Sequence, residues 1–175
     1  MLKTALSLEG PVALRYPRGE GSGAALEEPF TPLESLAAEV LEEEGEIAIL
    51  AVGSMVDAAQ KTAKLLKEEG LSAAVVNMRI VKPLDEELLH RMAHEKKMLV
   101  TMEENALAGG FGSAVLEALA DAGLLVPVVR FGIGDAFIEQ VKPQELLEMA
   151  GLQPEQMARS ILTAWKGARD GEGAA

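Results

Sequence analysis

The sequence predicts an α/β domain: layers of helices on both faces of an open, mostly parallel sheet. Three observations predict it. Four short apolar runs, Ile47–Val52, Ala73–Met78, Met98–Met102 and Val126–Phe131, alternate with segments of helical periodicity. The chain is 49% hydrophobic but only 3% aromatic, so its core is built from Ala, Leu, Val, Ile and Met, which disfavours a β-sandwich. Strands separated by helices join through right-handed crossovers, and such crossovers make strands parallel and cover the sheet on both faces.

Taken in order, Met1–Gly10 reads as the tail of a helix, with Leu2, Ala5 and Leu6 on one face and Gly10 as its stop. Val12–Tyr16 alternates like a strand, and with no partner strand nearby it is assigned to a preceding domain. Gly19–Pro32 is rich in Gly, Ser, Pro and Glu and reads as a linker. Residues 33–44 fit either a helix face (Leu33, Leu36, Ala37, Val40, Leu41) or a strand leading through Glu44-Gly45 into a hairpin. After Ile47–Val52, Ser54 is expected to cap a helix with Asp57 as the partner of a capping box. Met55, Ala59, Ala63 and Leu66 form that helix's apolar stripe, and Gly70 ends it. Asp85 is expected to cap the helix carrying Leu88, Leu89 and Met92. Pro143–Ala150 and Pro154–Lys166 read as the last helices, and 167–175 as a disordered tail.

Composition narrows function. The net charge is −12 with a pI near 4.6, which disfavours nucleic acid and anionic membranes as partners. Without cysteine there is neither a disulfide framework nor thiolate chemistry. No apolar run reaches membrane-spanning length and nothing resembles a signal peptide, so a cytoplasmic protein is expected.

Candidate chemistry centres on Met98–Ala120, where a strand, a glycine-rich turn and a helix follow one another. Such a turn gathers backbone N–H groups at a helix N-terminus, so Gly109-Gly110-Phe111-Gly112 could cradle a phosphate. It lacks both the Lys-Ser/Thr of a P-loop and the G-x-G-x-x-G spacing, and a structural turn is the favoured reading. Glu103 and Glu104 are adjacent and point opposite ways on an extended chain, so they are not a ready acid/base pair. One of them is expected to cap the turn or to bond across an interface. His90 and His94 have zinc-capable spacing but no third ligand follows. Arg15 and Arg18 could clamp a phosphate or carboxylate; surface ion pairing is the alternative, as it is for Arg79 and Lys82.

Four segments together, GPVALRYPRGEG (10–21), VVNMRIVKPLDEELL (75–89), LVTMEENALAGGFGSAVLE (99–117) and VRFGIGDAFIEQ (129–140), resemble in matching order the C-terminal part of the 1-deoxy-D-xylulose-5-phosphate synthases. These are transketolase-like thiamine diphosphate enzymes. The resemblance implies that residues 1–19 end a pyrimidine-binding domain and that 20–45 form a linker with an extra strand. Residues 46–166 then form a transketolase-like C-terminal domain. The extra strand favours the hairpin and brings the three-layer sheet to about five strands. Implied too are thiamine diphosphate with Mg2+ as cofactors, pyruvate and glyceraldehyde 3-phosphate as substrates, and a homodimer. The chain lacks the family's GDG…N magnesium–diphosphate motif and the segment carrying the cofactor-activating Glu. No catalytic, cofactor or metal residue is therefore expected in it, and alone it should be inactive. Arg18, the second Arg of RYPRG, matches the arginine that binds the phosphate of glyceraldehyde 3-phosphate. Arg15 and Tyr16 remain structural. Glu103, Glu104, Asn105, Gly109, Gly110, Phe111 and Gly112 look like scaffold or dimer-interface residues, and Phe111 and Phe137 suit an interface. The alternative is a free-standing C-terminal subunit or interaction module of a split transketolase-like or 2-oxo acid dehydrogenase enzyme.

Overall fold

The computed structural model describes residues 1–16, 29, 31–137 and 141–172. It divides into two compact units, Met1–Ala37 and Ala38–Ala175. In the first, α1 (Leu2–Ser7) stops at Leu8, whose backbone is extended, two residues before Gly10. Thr4 is buried there, and its hydroxyl accepts a hydrogen bond from the Leu33 N–H at 2.7 Å. The strand expected over 12–16 does not form: no ladder includes these residues, and Val12, Arg15 and Tyr16 are exposed. Alternation alone makes no strand without a neighbour to take its hydrogen bonds. Arg18 lies outside the described residues.

The second unit follows β1 (Glu39–Glu42), β2 (Ile47–Ala51), α2 (Met55–Glu68), β3 (Ala73–Asn77), α3 (Glu86–Glu95), β4 (Met98–Ala106), α4 (Phe111–Asp121), β5 (Val128–Ile133), α5 (Pro143–Met149) and α6 (Pro154–Glu172). Among the described residues the sheet has five strands in the order β1-β3-β2-β4-β5. β3, β2, β4 and β5 are mutually parallel, with Ile49 opposite both Val75 and Val100. Residues 33–44 thus supply a strand, but not a hairpin: β1 lies antiparallel to β3, at the sheet edge. Both edges of β2 are already occupied by β3 and β4, so β1 has no place beside β2 and takes the open edge of β3. Gly45 makes the turn at φ 148°, where a β-carbon would stand 2.6 Å from the Ala74 nitrogen.

Every residue of β2 is buried, and its alternation divides the core. Ile47, Ile49 and Ala51 join Met55, Leu66, Met157, Ile161 and Trp165 beneath α2 and α6. Ala48 and Leu50 join Leu89, Met92, Phe111, Val115 and Leu119 beneath α3 and α4. Each such large side chain contributes about 1.5–3 kcal/mol by leaving water.

Asp85 caps α3 as expected, accepting from the Leu88 N–H at 3.0 Å. Ser54 does not form a capping box. Its own backbone is already helical (φ −60°, ψ −21°), and its side chain makes no cap bond. A capping side chain works from an extended residue that can turn back on the first amides. Here the backbone closes the turn instead, from Met55 N–H to the Val52 carbonyl at 3.2 Å. The last helix also outruns its expected end at Lys166 and continues to Glu172. Gly167 lies within it at a cost of about 1 kcal/mol relative to Ala, which the packing of Trp165 and Ala168 against the α2 side of the core offsets. Among the described residues no helix is long and apolar enough to cross a membrane.

Candidate functional site

Strand β4 extends four residues past the expected Met102. Its alternation sets the site. Leu99 packs on the α3/α4 side while Met98, Val100 and Met102 pack on the other. Thr101 and Glu103 continue the Leu99 face, and Glu104 takes the opposite direction. Glu103 is accordingly 0% exposed and Glu104 is exposed.

Burying a carboxylate is costly unless donors surround it. Glu103 finds them at the start of α4. Oε2 accepts from the Phe111 N–H and Oε1 from the Gly112 N–H, each at 2.8 Å. These are amides that a helix leaves unpaired, at its positive end, so charge and hydrogen bonding act together. The glycines make room. A β-carbon on Gly112 would stand 2.7 Å from Thr101 Oγ1, and one on Gly110 would overlap Glu103 Oε2 and the Ala106 carbonyl. Gly109 turns at φ +72°.

A second set of bonds ties this turn to β5. The Leu107 N–H donates to the Ile133 carbonyl at 2.8 Å. The Leu107 carbonyl accepts from Ser113 Oγ at 2.9 Å and from Arg130 Nη1 at 3.1 Å. Arg130 also reaches Ser113 Oγ at 3.2 Å, and the Gly109 N–H donates to that hydroxyl at 3.0 Å. Sequence reasoning missed Arg130, Ser113, Leu107 and Gly132. The available signals were an arginine and a glycine inside the apolar strand VVRFGI, since a strand glycine often marks a close approach.

The geometry decides between the two readings of the turn. The place where a phosphate would meet the α4 amides holds the chain's own carboxylate, so Gly109–Gly112 is a closed, capped turn. Glu103 and Glu104 share no reacting space. Phe111 is buried with Val115 and Leu119 because the first turn of α4 faces the sheet. Of the two phenylalanines suited to an interface, Phe137 is the exposed one. Asn105 is half-buried.

Glu104 borders an open groove of about 530 Å³ with Asp57, Glu145 and Glu148 on its rim and Met55 and Leu152 beneath. Arg79 pairs with Glu39 at 3.6 Å, in keeping with the ion-pair reading, and Lys82 is exposed. His94 is exposed and His90 half-buried, and no group of three metal-binding side chains occurs among the described residues.

The likeness to known proteins is extensive. The chain is 49% identical to the 1-deoxy-D-xylulose-5-phosphate synthase of Prochlorococcus marinus over 93% of its own length, which is 25% of that relative. It is 50% identical to the same enzyme of Thermosynechococcus vestitus over 88% of its length, 24% of the relative. It thus spans about a quarter of the length of the curated relatives it matches. Among solved structures, a split-gene transketolase described as an inactive beta4 tetramer superposes with a TM-score of 0.71 at 38% identity, over 81% of this chain and 46% of that one. A transketolase from Campylobacter jejuni, 22% identical, superposes with a TM-score of 0.58 over 79% of this chain and 20% of its own, a likeness of fold. The parallel sheet with its antiparallel edge strand and the carboxylate-capped helix therefore sit in a recognised setting: residues 36–157 match the transketolase C-terminal domain, and the chain belongs to that family.

Proposed function

We propose that this chain is the C-terminal part of a 1-deoxy-D-xylulose-5-phosphate synthase. That enzyme condenses pyruvate with glyceraldehyde 3-phosphate, giving 1-deoxy-D-xylulose 5-phosphate and carbon dioxide. The observation that carries this reading is identity near one half, spread over almost the whole chain, to synthases four times its length. In the whole enzyme, thiamine diphosphate with Mg2+ supplies the electron sink for the carbanion left when pyruvate loses carbon dioxide.

The second unit does not fit that cofactor. Its glycine-rich helix start, the natural seat for a diphosphate, is filled by the Glu103 carboxylate. Cofactor binding and chemistry therefore belong to the diphosphate- and pyrimidine-binding domains, and residues 46–166 serve as scaffold. Residues 1–19 close the pyrimidine-binding domain, and 20–45 connect the two. Arg18 binds the phosphate of glyceraldehyde 3-phosphate, because a guanidinium fork meets phosphate oxygens in two parallel bonds. Of Glu103, Glu104, Asn105, Gly109, Gly110, Phe111 and Gly112, the exposed ones, Glu104 and Gly109, face a homodimer or domain contact in a cytoplasmic enzyme.

The test has two arms. The purified 175-residue chain, given both substrates, thiamine diphosphate and Mg2+, forms no product; turnover by this chain alone overturns the reading. In an enzyme completed with the other domains, Arg18→Ala raises KM for glyceraldehyde 3-phosphate far more than KM for pyruvate. Equal effects on both would remove Arg18 from the phosphate.

A further inference from the structure

The chain passes from the first compact unit to the second between Ala37 and Ala38. On each side of that junction a side chain grips the backbone. In the first unit it is Thr4, a buried residue of α1, whose hydroxyl accepts from the Leu33 N–H at 2.7 Å, 29 residues further along the chain. In the second it is Asp85. While its Oδ1 caps α3, its Oδ2 accepts from the Ala38 N–H at 2.8 Å. Burial marks the same two points. Leu33 and Ala38 are half-buried, and the four residues between them, Glu34, Ser35, Leu36 and Ala37, are all exposed. Both approaches are stiff. Pro32, with its fixed φ, precedes Leu33 and holds Thr31 extended. Directly after Ala38 the chain enters β1, where Glu39 and Val40 stand opposite Asn77 and Val76 of β3. The Glu39 carboxylate accepts from Asn77 Nδ2 at 3.3 Å, and Ala38 and Val40 pack on the α3/α4 side of the core. Inside the exposed stretch the Ala37 N–H donates to Ser35 Oγ at 3.4 Å, a bond within the stretch itself.

We propose that Glu34–Ala37 is a hinge between the two units, and that Thr4 and Asp85 are the clasps that confine bending to it. A hinge is a few residues that absorb a change in φ and ψ while the elements on either side stay rigid. The clasps differ in strength. The Asp85 bond is charge-assisted and roughly twice as strong as the neutral Thr4 bond, so on warming Leu33 loosens before Ala38. The hinge goes beyond the synthase reading and does not depend on it, because both clasps and the stretch between them lie in this chain.

Backbone 15N relaxation on the full chain tests it. Order parameters fall below ~0.6 within 34–37 and stay near ~0.85 at Leu33, at Ala38 and through α1. Values near ~0.85 across 34–37 overturn the hinge, and low values at Leu33 or throughout α1 overturn the Thr4 clasp. Variants then separate the two sides. Thr4→Val removes the acceptor and keeps the shape, so Leu33 drops towards ~0.6 while Ala38 holds. Asp85→Ala does the reverse: Ala38 drops and Leu33 holds. A fall at both residues in either variant, or at neither, overturns the assignment of the clasps. Should Asp85→Ala fail to fold, a Glu-specific protease acting on the wild-type chain decides the second side. Cleavage after Glu34, in the hinge, outpaces cleavage after Glu39, beyond the clasp, by ~10-fold or more. Comparable rates at the two bonds refute a clasp at Ala38.

Discussion

A β-carbon on Gly110 would lie 2.9 Å from the carboxyl carbon of Glu103 and would overlap one of its oxygens. The same atom would collide with the Ala106 carbonyl, which is backbone and cannot rotate away. Gly110→Ala must therefore push α4 off its cap or drive the carboxylate from its two amides. The expected cost is at the upper end of overpacking, about 3 kcal/mol or more. Gly109→Ala is the control: open space surrounds it, and only its positive φ of 72° resists a side chain, at about 1–2 kcal/mol. Urea midpoints of the two variants rank them, and equal midpoints would show that the contact with Glu103 is not what excludes a side chain at Gly110.

Glu103 and Glu104, neighbours in sequence, separate in energy. Glu103→Ala leaves the Phe111 and Gly112 amides buried without an acceptor and removes a charge from the positive end of α4. Each lost charged hydrogen bond costs about 1.5–3 kcal/mol, giving an expected total near 3–5 kcal/mol because the two are not independent. Glu104→Ala alters an exposed groove rim and should stay within about 0.5 kcal/mol. Thermal or urea unfolding of the pair checks this, and similar losses in both would contradict the assigned burial.

Asp85 fastens two elements at once. Its Oδ1 accepts from the Leu88 N–H at 3.0 Å, and its Oδ2 from the Ala38 N–H at 2.8 Å, just before β1. Asp85→Ala should therefore cost about 1–2 kcal/mol for the cap. It should also raise amide exchange at Ala38 and in β1, while β2 keeps its protection. A change restricted to α3 would show that β1 is held by its ladder with β3 alone.

What could be read from the sequence follows from where each signal lives. Strands β2 to β5 declared themselves because turns and helices bound short apolar runs. The pairing of β1 did not. Its partner was chosen by the occupied edges of β2, a fact that belongs to the sheet and not to residues 39–42. The opposite directions of Glu103 and Glu104 followed from strand alternation. Which one faced inward was hidden, since β4 is buried on both faces from Met98 to Met102 and its composition marks no side. Cluster members Arg130 and Gly132 went unseen because their partners lie a strand away. The extension of α6 past Gly167 was masked by a local helix breaker that distant packing overrides.

The acid side of the stability profile offers a further prediction, centred on Glu43. Its carboxylate is held below its ordinary value of 4.5 chiefly by a hydrogen bond from Arg91; desolvation opposes this, and the charges of Arg91 and Lys96 add to it. A carboxylate whose folded value is depressed stabilises the fold above its unfolded value and loses that contribution as pH falls through the folded one. The difference in urea midpoint between the wild type and Glu43→Gln should accordingly be constant from neutral pH down to roughly pH 5.5, and should close as pH drops below about 4.5. The pair is open to water, so the difference is small and should shrink further in 0.5 M salt, roughly where the screening length falls below ~5 Å. Because Arg91 also lies 3.6 Å from Glu95, replacing Glu43 rather than Arg91 isolates one partner. A midpoint difference that persists unchanged at pH 3, roughly a unit and a half below the ordinary carboxylate value, would mean that the side chain acts through packing and not through its charge.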